Sequence, residues 1–206
     1  MKITIAGSFH EPGWSEVCDL ANKLKRVGHT ILAPNVDATP LDGEATYVKF
    51  EGEDEKKPAE LERTFLEIMN QSDALVVCNS NQRIGFAVSY ELGYAMTKME
   101  LGETNLKQIF FKYPPVGYSI FKSKPQISAQ EFERVIQTNP KYSNELIDYT
   151  ERLAKPGIIS YVSMENYYED LKRLYGMIMD CEKRGIVTIG IDSLLKGKKI
   201  NSEREK

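Results

Sequence analysis

The sequence predicts a doubly wound α/β domain built around a parallel β-sheet. Short apolar runs alternate along the chain with segments in which apolar residues recur every three or four positions, as strands alternate with amphipathic helices in such folds. The run from Ala74 to Cys78 is continuous and rich in β-branched residues, which is typical of a central parallel strand buried on both faces. Right-handed crossovers then predict a five-stranded, flavodoxin-like sheet in the order 2-1-3-4-5.

The first half of the chain divides into strands and helices with clear stop signals. Gly28 and Pro34 end the first helix and the second strand, because glycine is favoured just after a helix and proline cannot continue a buried strand. The segment between 35 and 58 is rich in Gly, Pro and charged residues, so we expect a long exposed connection there. The predicted elements are a strand over 3–6, a helix over 14–24, a strand over 30–33, a helix over about 59–71, a strand over 74–78 and a helix over about 82–101.

The second half continues the alternation and adds segments that a minimal fold does not need. We predict a fourth strand over 108–111, a fifth over 158–162 and a helix over 165–183. Residues 112–156 are interpreted as a helical insertion with two short helices. A single α/β domain is therefore expected over 1–184. Residues 185–206 are a C-terminal extension, partly disordered, in which 186–189 could form an extra strand.

Composition and charge argue against several classes of partner. Of the 206 residues, 41% are apolar and 28% charged, and the net charge is −3. The chain can therefore bury a core, and it lacks the basic excess that attracts nucleic acids or anionic membranes. No segment approaches the roughly 18 apolar residues of a membrane span, and no signal segment opens the chain. We expect a cytoplasmic protein with no nucleic-acid or membrane partner.

The cysteines point to a reduced core and not to a disulfide framework. Cys18, Cys78 and Cys181 are odd in number, widely spaced and set mostly in apolar surroundings. Neither His10 nor His29 stands at metal-ligand spacing from them. We therefore expect neither a metal ion nor a cofactor.

The predicted strand order also predicts where a ligand would bind. The loops after strands one and three leave in opposite directions and open a crevice at the carboxyl ends of the strands. These loops, 7–10 and 79–87, are rich in small and polar residues. Their backbone amides, together with helix N-termini, suit a phosphate or another anion, although a structural turn would explain a lone Gly-Ser pair equally well.

Glu91 is the sharpest functional signal in the sequence. It falls on the apolar stripe of the third predicted helix, where an aliphatic residue would be expected because an ionised carboxylate facing a core is costly. We predict that Glu91 faces the crevice as the reactive group; the alternative is a capped or ion-paired structural glutamate. The other residues of this stripe are Ile84, Ala87, Val88, Leu92, Ala95, Met96 and Met99.

The opposite face of the same helix is also largely apolar. It carries Phe86, Tyr90, Gly93 and Thr97, so the helix needs a second cover. That cover is either the segment 112–156 or an identical subunit related by two-fold symmetry. We expect a homo-oligomer, most simply a homodimer.

The segment from Ser89 to Ala95, Ser-Tyr-Glu-Leu-Gly-Tyr-Ala, resembles the signature of the nucleoside 2-deoxyribosyltransferase family, including its 2'-deoxynucleoside 5'-phosphate N-hydrolase branch. The strand from Asp73 to Cys78 and the opening Lys-Ile-Thr-Ile-Ala-Gly-Ser fit the same pattern. The resemblance covers about residues 1–111. It implies cleavage of an N-glycosidic bond in a (deoxy)nucleoside or nucleoside 5'-monophosphate, and hence a hydrolase or transferase.

Carried onto this chain, the resemblance implies roles for individual residues. Glu91 would be the nucleophile at the anomeric carbon, where a carboxylate stabilises or traps an oxocarbenium-like state. Water would then give hydrolysis, and a second base would give transfer. The residues implied in holding the sugar, the 5'-phosphate or the base are Gly7, Ser8, Phe9, Gly85, Ser89 and Tyr90.

The chain departs from the family pattern at two acidic positions. Family members place an aspartate on the helix before the third strand, where this chain has Phe65. Transferases carry another acid six positions before the nucleophile, where this chain has Gly85. The acids that could substitute are Glu62, Glu67, Asp37 and Asp42, but each is better explained as a solvated surface charge.

Two other functions therefore stay open at this point. A non-catalytic nucleotide-binding or sensor protein would keep the pocket without the acid, which Phe65 and Gly85 favour. An enzyme that cleaves the nicotinamide–ribose bond of NAD would use the same carboxylate chemistry, although no residue points to NAD specifically. Fold alone does not choose among these functions.

Overall fold

The computed structural model describes residues 1–9, 13–38, 58–139 and 164–196. Five strands and seven α-helices lie within these ranges. In chain order they are β1 (Lys2–Gly7), α1 (Gly13–Arg26), β2 (Thr30–Ala33), α2 (Pro58–Asn70), β3 (Ala74–Cys78), α3 (Phe86–Leu101), β4 (Gln108–Phe111), α4 (Tyr118–Ser123), α5 (Ala129–Thr138), α6 (Met164–Lys183), β5 (Val187–Ile189) and α7 (Asp192–Leu195).

The five strands form one parallel sheet in the order β2-β1-β3-β4-β5. This confirms the predicted doubly wound, flavodoxin-like fold. β1 and β3 are neighbours, and their pairing runs from Ile3 opposite Ala74 to Gly7 opposite Cys78. The carboxyl ends of these two strands therefore lie side by side, at the point where the winding direction changes.

The sheet is covered on both faces, as its continuous apolar strands require. All five residues of β3 are buried. Leu75 and Val77 pack into a core formed with α2, α3 and α6, whereas Val76 and Cys78 pack into a second core formed with α1 and α7. Helix α3 therefore shares its side of the sheet with α2 and α6.

The fifth strand is not where the sequence pattern placed it. β5 is Val187–Ile189, and it pairs in parallel with β4. We had predicted these residues as an extra strand of a C-terminal extension, and the predicted fifth strand, 158–162, lies outside the described residues. Val187, Ile191 and Leu194 are buried, so β5 and α7 belong to the packed domain.

The predicted insertion does contain two short helices, α4 and α5. Both pack against α6 through aromatic side chains that meet edge to face, a favourable arrangement of ring quadrupoles. The ring centroids in this cluster lie between 5.4 and 6.1 Å from that of Tyr175, and the rings are those of Tyr118, Phe121 and Phe132. Because the cluster belongs to the same core as α3, the insertion is integral to the fold.

The cysteine prediction is confirmed, since Cys18, Cys78 and Cys181 are all free thiols and the last two are buried. In the described ranges no helix combines the length and the apolar character needed to cross a bilayer. The cytoplasmic location stays a prediction.

Candidate active site

Glu91 lies on the buried side of α3, close to the carboxyl ends of the two central strands. α3 begins shortly after β3 and contacts β1, so its second turn, which holds Glu91, sits beside the switch in winding direction. The neighbouring Val88 and Leu92 pack into the same core as Ala6, the residue before Gly7. Glu91 itself is only 7% exposed, which confirms that it shares the buried stripe.

The Glu91 carboxyl group lacks the partners that a structural buried acid normally has. Its Oε2 atom is buried and has no hydrogen-bond partner. In the described ranges no lysine, arginine or histidine contributes to its electrostatic environment. The described residues therefore do not support a role for Glu91 as a capped or ion-paired structural glutamate.

Burial has a large effect on the ionisation of this group. Removal from water, and after it the nearby negative charge of Glu62, raises the pKa of the Glu91 carboxyl from 4.5 to about 8. Desolvation disfavours the charged form of any carboxyl, and a like charge nearby adds to that effect. Glu91 is therefore largely protonated at neutral pH in the ligand-free protein.

Glu62 on α2 is the second acid of the site. Its Oε1 atom is buried without a hydrogen-bond partner, and burial raises the pKa of its carboxyl. The interpretation of Glu62 as a solvated surface charge was wrong. The sequence did hold the signal, because Glu62 precedes the buried Leu66 by four positions and Met69 by seven, spacings that share one helix face.

Together, Glu62 and Glu91 form a carboxyl pair from two adjacent helices. The negative charge of Glu62 adds to the effect of burial on the Glu91 carboxyl, so Glu91 holds its proton more tightly while Glu62 is ionised. One acid can then act as a nucleophile or base while the other carries the proton. This division of roles is the general requirement for cleaving a glycosidic bond.

Three aromatic rings, those of Phe9, Trp14 and Phe65, join the loop after β1 to α1 and α2, and together they form the aromatic wall. Phe9, in the loop after β1, has its ring centroid 5.8 Å from that of Trp14 and 6.5 Å from that of Phe65, both edge to face. Phe65 is three positions after Glu62 on α2, so the two side chains share a helix face. Phe9 and Phe65 are half-buried, and the aromatic wall reaches the face of α2 that carries Glu62.

The loop after β1 is held in close contact with the start of α1. A Cβ added to Gly7 would lie 2.9 Å from the carbonyl oxygen of Cys78, and one added to Gly13 would lie 2.6 Å from the Cβ of Ser8. Neither position has room for a Cβ atom, so both require glycine. Gly7 is half-buried and Ser8 is exposed, so the backbone here is fixed while the Ser8 side chain faces the solvent side of the crevice.

The loop before α3 brings two of the predicted binding residues together and separates a third. Gly85 is the N-cap residue of α3 and carries no side-chain cap, and the Ser89 hydroxyl donates to its carbonyl oxygen at 2.9 Å. Tyr90, in contrast, is 54% exposed. It lies on the solvent side of α3, away from the stripe that carries Glu91.

The far side of the crevice is braced by polar contacts that sequence reasoning missed. Lys112, just after β4, forms an ion pair with Glu16 of α1 at 2.5 Å. The Asn79 amide spans the ends of β3 and β4, since its Nδ2 donates to the Tyr113 carbonyl at 2.8 Å and its Oδ1 accepts from the Tyr113 amide at 3.0 Å. These contacts fix the edge of the sheet next to the loops.

The other acids considered from sequence do not join the pair. Glu67 is exposed on α2, Asp37 is paired with Lys25 at 3.1 Å, and Asp42 lies outside the described residues. In the part of the chain that the structure describes, no group of three or more His, Cys, Asp or Glu side chains could hold a metal ion.

The outward side of α3 is only partly covered. The helix packs against α2 and α6 as well as the sheet, but Tyr90 and Leu101 remain well exposed. The homo-oligomer stays a prediction.

Comparison of the chain with protein-family models, with curated proteins and with solved structures returned no match. The functional assignment therefore rests on the geometry of the site.

Proposed function

We propose that this protein cleaves the N-glycosidic bond of a nucleoside or nucleoside 5'-monophosphate, with Glu91 as the nucleophile. The observation that carries the proposal is the buried, unpartnered carboxyl group of Glu91 at the switch point of the sheet. A protein retains an uncompensated buried acid at a stability cost, and such perturbed groups concentrate at functional sites. Pairs of carboxyl groups cleave glycosidic bonds in many enzymes, where one of them attacks the anomeric carbon of the sugar.

In the first step the Glu91 carboxylate forms a bond to the anomeric carbon as the C–N bond breaks. The bonding electrons go to the base, which leaves, and the sugar is held as a glycosyl ester of Glu91. Water then attacks the same carbon, the ester bond breaks, and Glu62 accepts the proton of the water. A second base in place of water would give transfer of the sugar.

Glu62 supports this chemistry by sharing the proton of the pair. Glu91 is a nucleophile only when ionised, so its proton must reside elsewhere during attack. Glu62 takes that proton and passes it to the departing base, so Glu62 is ionised when it accepts the proton of the water in the second step. Each acid thus ionises when the other is protonated.

Release of free base from nucleosides and their 5'-monophosphates tests the proposal directly. Because the nucleophile is replaced by a neutral amide of the same shape, Glu91→Gln should lower kcat/KM by at least about 1,000-fold. Glu62→Gln should lower it by about 100-fold or more, the usual contribution of acid–base catalysis. The matched control is Glu67→Gln, an exposed acid on the same helix as Glu62, which should leave the rate unchanged. An unchanged rate in Glu91→Gln would remove Glu91 from the mechanism.

A non-catalytic nucleotide-binding protein is the second candidate. Its support is the pKa of about 8 for Glu91, because a protonated acid is not a nucleophile, together with the phenyl ring of Phe65 beside Glu62. Thermal shifts with nucleotides, combined with no base release by the wild-type protein on long incubation between pH 6 and 9, would favour this candidate over the enzyme.

A further inference from the structure

In the described ranges no basic residue acts on the carboxyl group of Glu62 or of Glu91. Glu62 and Glu91 each have a buried carboxyl oxygen without a partner, and the charge that acts on Glu91 is that of Glu62. Lys112, which directly follows β4, is paired with Glu16 at 2.5 Å. In the free protein a proton compensates one of the two acids. A ligand that brings its own positive charge could replace that proton.

The aromatic wall suits a flat ligand with positive charge. Phe9 meets Trp14 and Phe65 edge to face, and the two phenyl rings offer no donor or acceptor to the ring nitrogens of a neutral base. The negative face of an aromatic ring does attract a cation, most strongly where water is excluded. An aromatic wall that reaches the face of α2 carrying Glu62 therefore matches a planar cation better than a neutral heterocycle.

Resting on the proposed function, we propose that the preferred substrates are N-glycosides whose base carries a fixed positive charge, such as a pyridinium or an N7-alkylated purine. Two features of the site support this substrate class: the buried carboxyl oxygens of Glu62 on α2 and Glu91 on α3, which have no hydrogen-bond partner, and the aromatic wall of Phe9, Trp14 and Phe65, of which Phe65 shares a face of α2 with Glu62.

The reaction balances without a proton donor for such a substrate. The Glu91 carboxylate forms the bond to the anomeric carbon, the C–N bond breaks, and its electron pair neutralises the positive nitrogen, so the base leaves as a neutral molecule. In the second step Glu62 takes a proton from the attacking water, and the Glu91 carboxylate is released. Both acids can then act in their ionised forms. A substrate whose base is uncharged before cleavage would not allow this, because its base must be protonated as it leaves.

The first test measures binding and needs no turnover. Calorimetric titration with the cation N1-methylnicotinamide and with neutral nicotinamide, from pH 6 to 9, compares two rings of nearly the same size. Because binding of the cation expels a proton, its affinity should rise by up to about tenfold per pH unit below the pKa of about 8 of Glu91 and level off above it. The affinity of nicotinamide should stay flat.

Variants show whether the two acids cause this behaviour. Glu62 lies on α2 and Glu91 on the adjoining α3, and among the described residues the charge of Glu62 is the one that acts on Glu91. Both Glu62→Gln and Glu91→Gln should weaken the pH dependence, whereas Glu67→Gln should retain it. Equal affinities for the two rings, or a pH-independent preference, would overturn the proposal.

The second test measures catalysis and separates the two proposals. Cleavage of 7-methylguanosine is compared with that of guanosine, as ribo- and 2'-deoxyribonucleosides, and each rate is divided by the uncatalysed rate under the same conditions. The expected result is an acceleration at least about tenfold larger for the cation. Equal, Glu91-dependent acceleration would contradict the charge preference and support the N-glycosidase. Selective binding of N1-methylnicotinamide without any cleavage would support the charge preference and contradict the enzyme.

Discussion

Glu91 occupies a position where an aliphatic side chain would stabilise the fold more. Its neighbours on the stripe, Val88 and Leu92, are buried apolar residues, and periodicity alone places Glu91 among them. The direction of the side chain follows from the helix pattern and could be predicted from the sequence. The absence of a partner could not, because it depends on which residues α2 and the loop after β1 bring to the same place.

The burial of Glu91 makes the stability of the protein depend on pH. The folded-state pKa is about 8 against 4.5 for the free side chain, so between these values the folded state binds more protons than the unfolded state. The free energy of unfolding should therefore fall as pH rises from 4.5 to 8, by about 1.4 kcal/mol for each pH unit. Urea unfolding of the wild-type protein across this range measures the slope.

Glu91→Gln should flatten this slope, because the amide does not ionise, and the variant should be more stable than the wild type by a few kcal/mol at pH 8. Glu67→Gln, which changes an exposed acid, should show the wild-type slope. A steep slope that persists in Glu91→Gln would mean that another group dominates the pH dependence.

Glu62 shows where residue-by-residue reasoning fell short. Its spacing to Leu66 and Met69 marks it as a buried-face residue, yet a charged residue on a short helix is more often solvated. What decides its role is the contact between α2 and α3, and this contact joins helices separated by a strand. No pattern within α2 alone reveals it.

At the scale of elements, most bounds follow from local signals, and the misses have local causes. The helix predicted from residue 82 begins at Phe86, because Gln82 has a φ of 64° and Gly85 is extended. This delay places Gly85 as the N-cap residue and sets Glu91 in the second turn. The sequence pattern missed it because the apolar spacing continues through Ile84 without interruption.

β5 illustrates a different limit. The short run at 187–189 and the longer run at 158–162 are both apolar, and pattern length favoured the longer one. Pairing with β4 requires a strand that arrives in parallel after a crossover helix, and α6 supplies that crossover for Val187–Ile189. Topology thus identifies Val187–Ile189 as the strand that pairs with β4, which local propensity alone does not do.

Gly117 tests how firmly the insertion is tied to the domain. It precedes α4 with a φ of 72°, and an added Cβ would overlap the Cδ1 of the buried Ile136 and lie 3.1 Å from the Phe132 ring. Gly117→Ala should therefore lower the free energy of unfolding by about 1–3 kcal/mol, through backbone strain and overpacking. Chemical denaturation followed by fluorescence measures the change.

The matched control for this substitution is Gly93→Ala. Gly93 lies inside α3, and an added Cβ meets no atom within 4 Å. This change should stabilise the helix by about 0.5–1 kcal/mol, since alanine loses less backbone entropy than glycine on folding. A Gly117→Ala protein as stable as the wild type would show that α4 and α5 are not packed as described.

At the scale of the whole molecule, the strand order determines where chemistry can take place. The parallel order β2-β1-β3-β4-β5 puts the loops after β1 and β3 on either side of one crevice. The predicted residues Gly7, Phe9, Gly85 and Glu91 accordingly lie on the elements that border it, whereas Tyr90 lies on the solvent side of α3. Fold topology was predictable because alternating strand and helix patterns admit few arrangements. The second acid and the aromatic wall needed three-dimensional packing.

The central claim is that Glu91 forms a covalent bond to a sugar. The most direct measurement is the intact mass of the protein after incubation with 2'-deoxy-2'-fluoroarabino nucleosides that carry a purine, a pyrimidine or nicotinamide as the base. The fluorine slows breakdown of a glycosyl ester, because it disfavours positive charge at the adjacent anomeric carbon. The predicted result is a mass increase equal to one fluorosugar, located by peptide mapping on Glu91 and absent from Glu91→Gln. Base release that continues in Glu91→Gln, or an adduct on a different residue, would contradict the account.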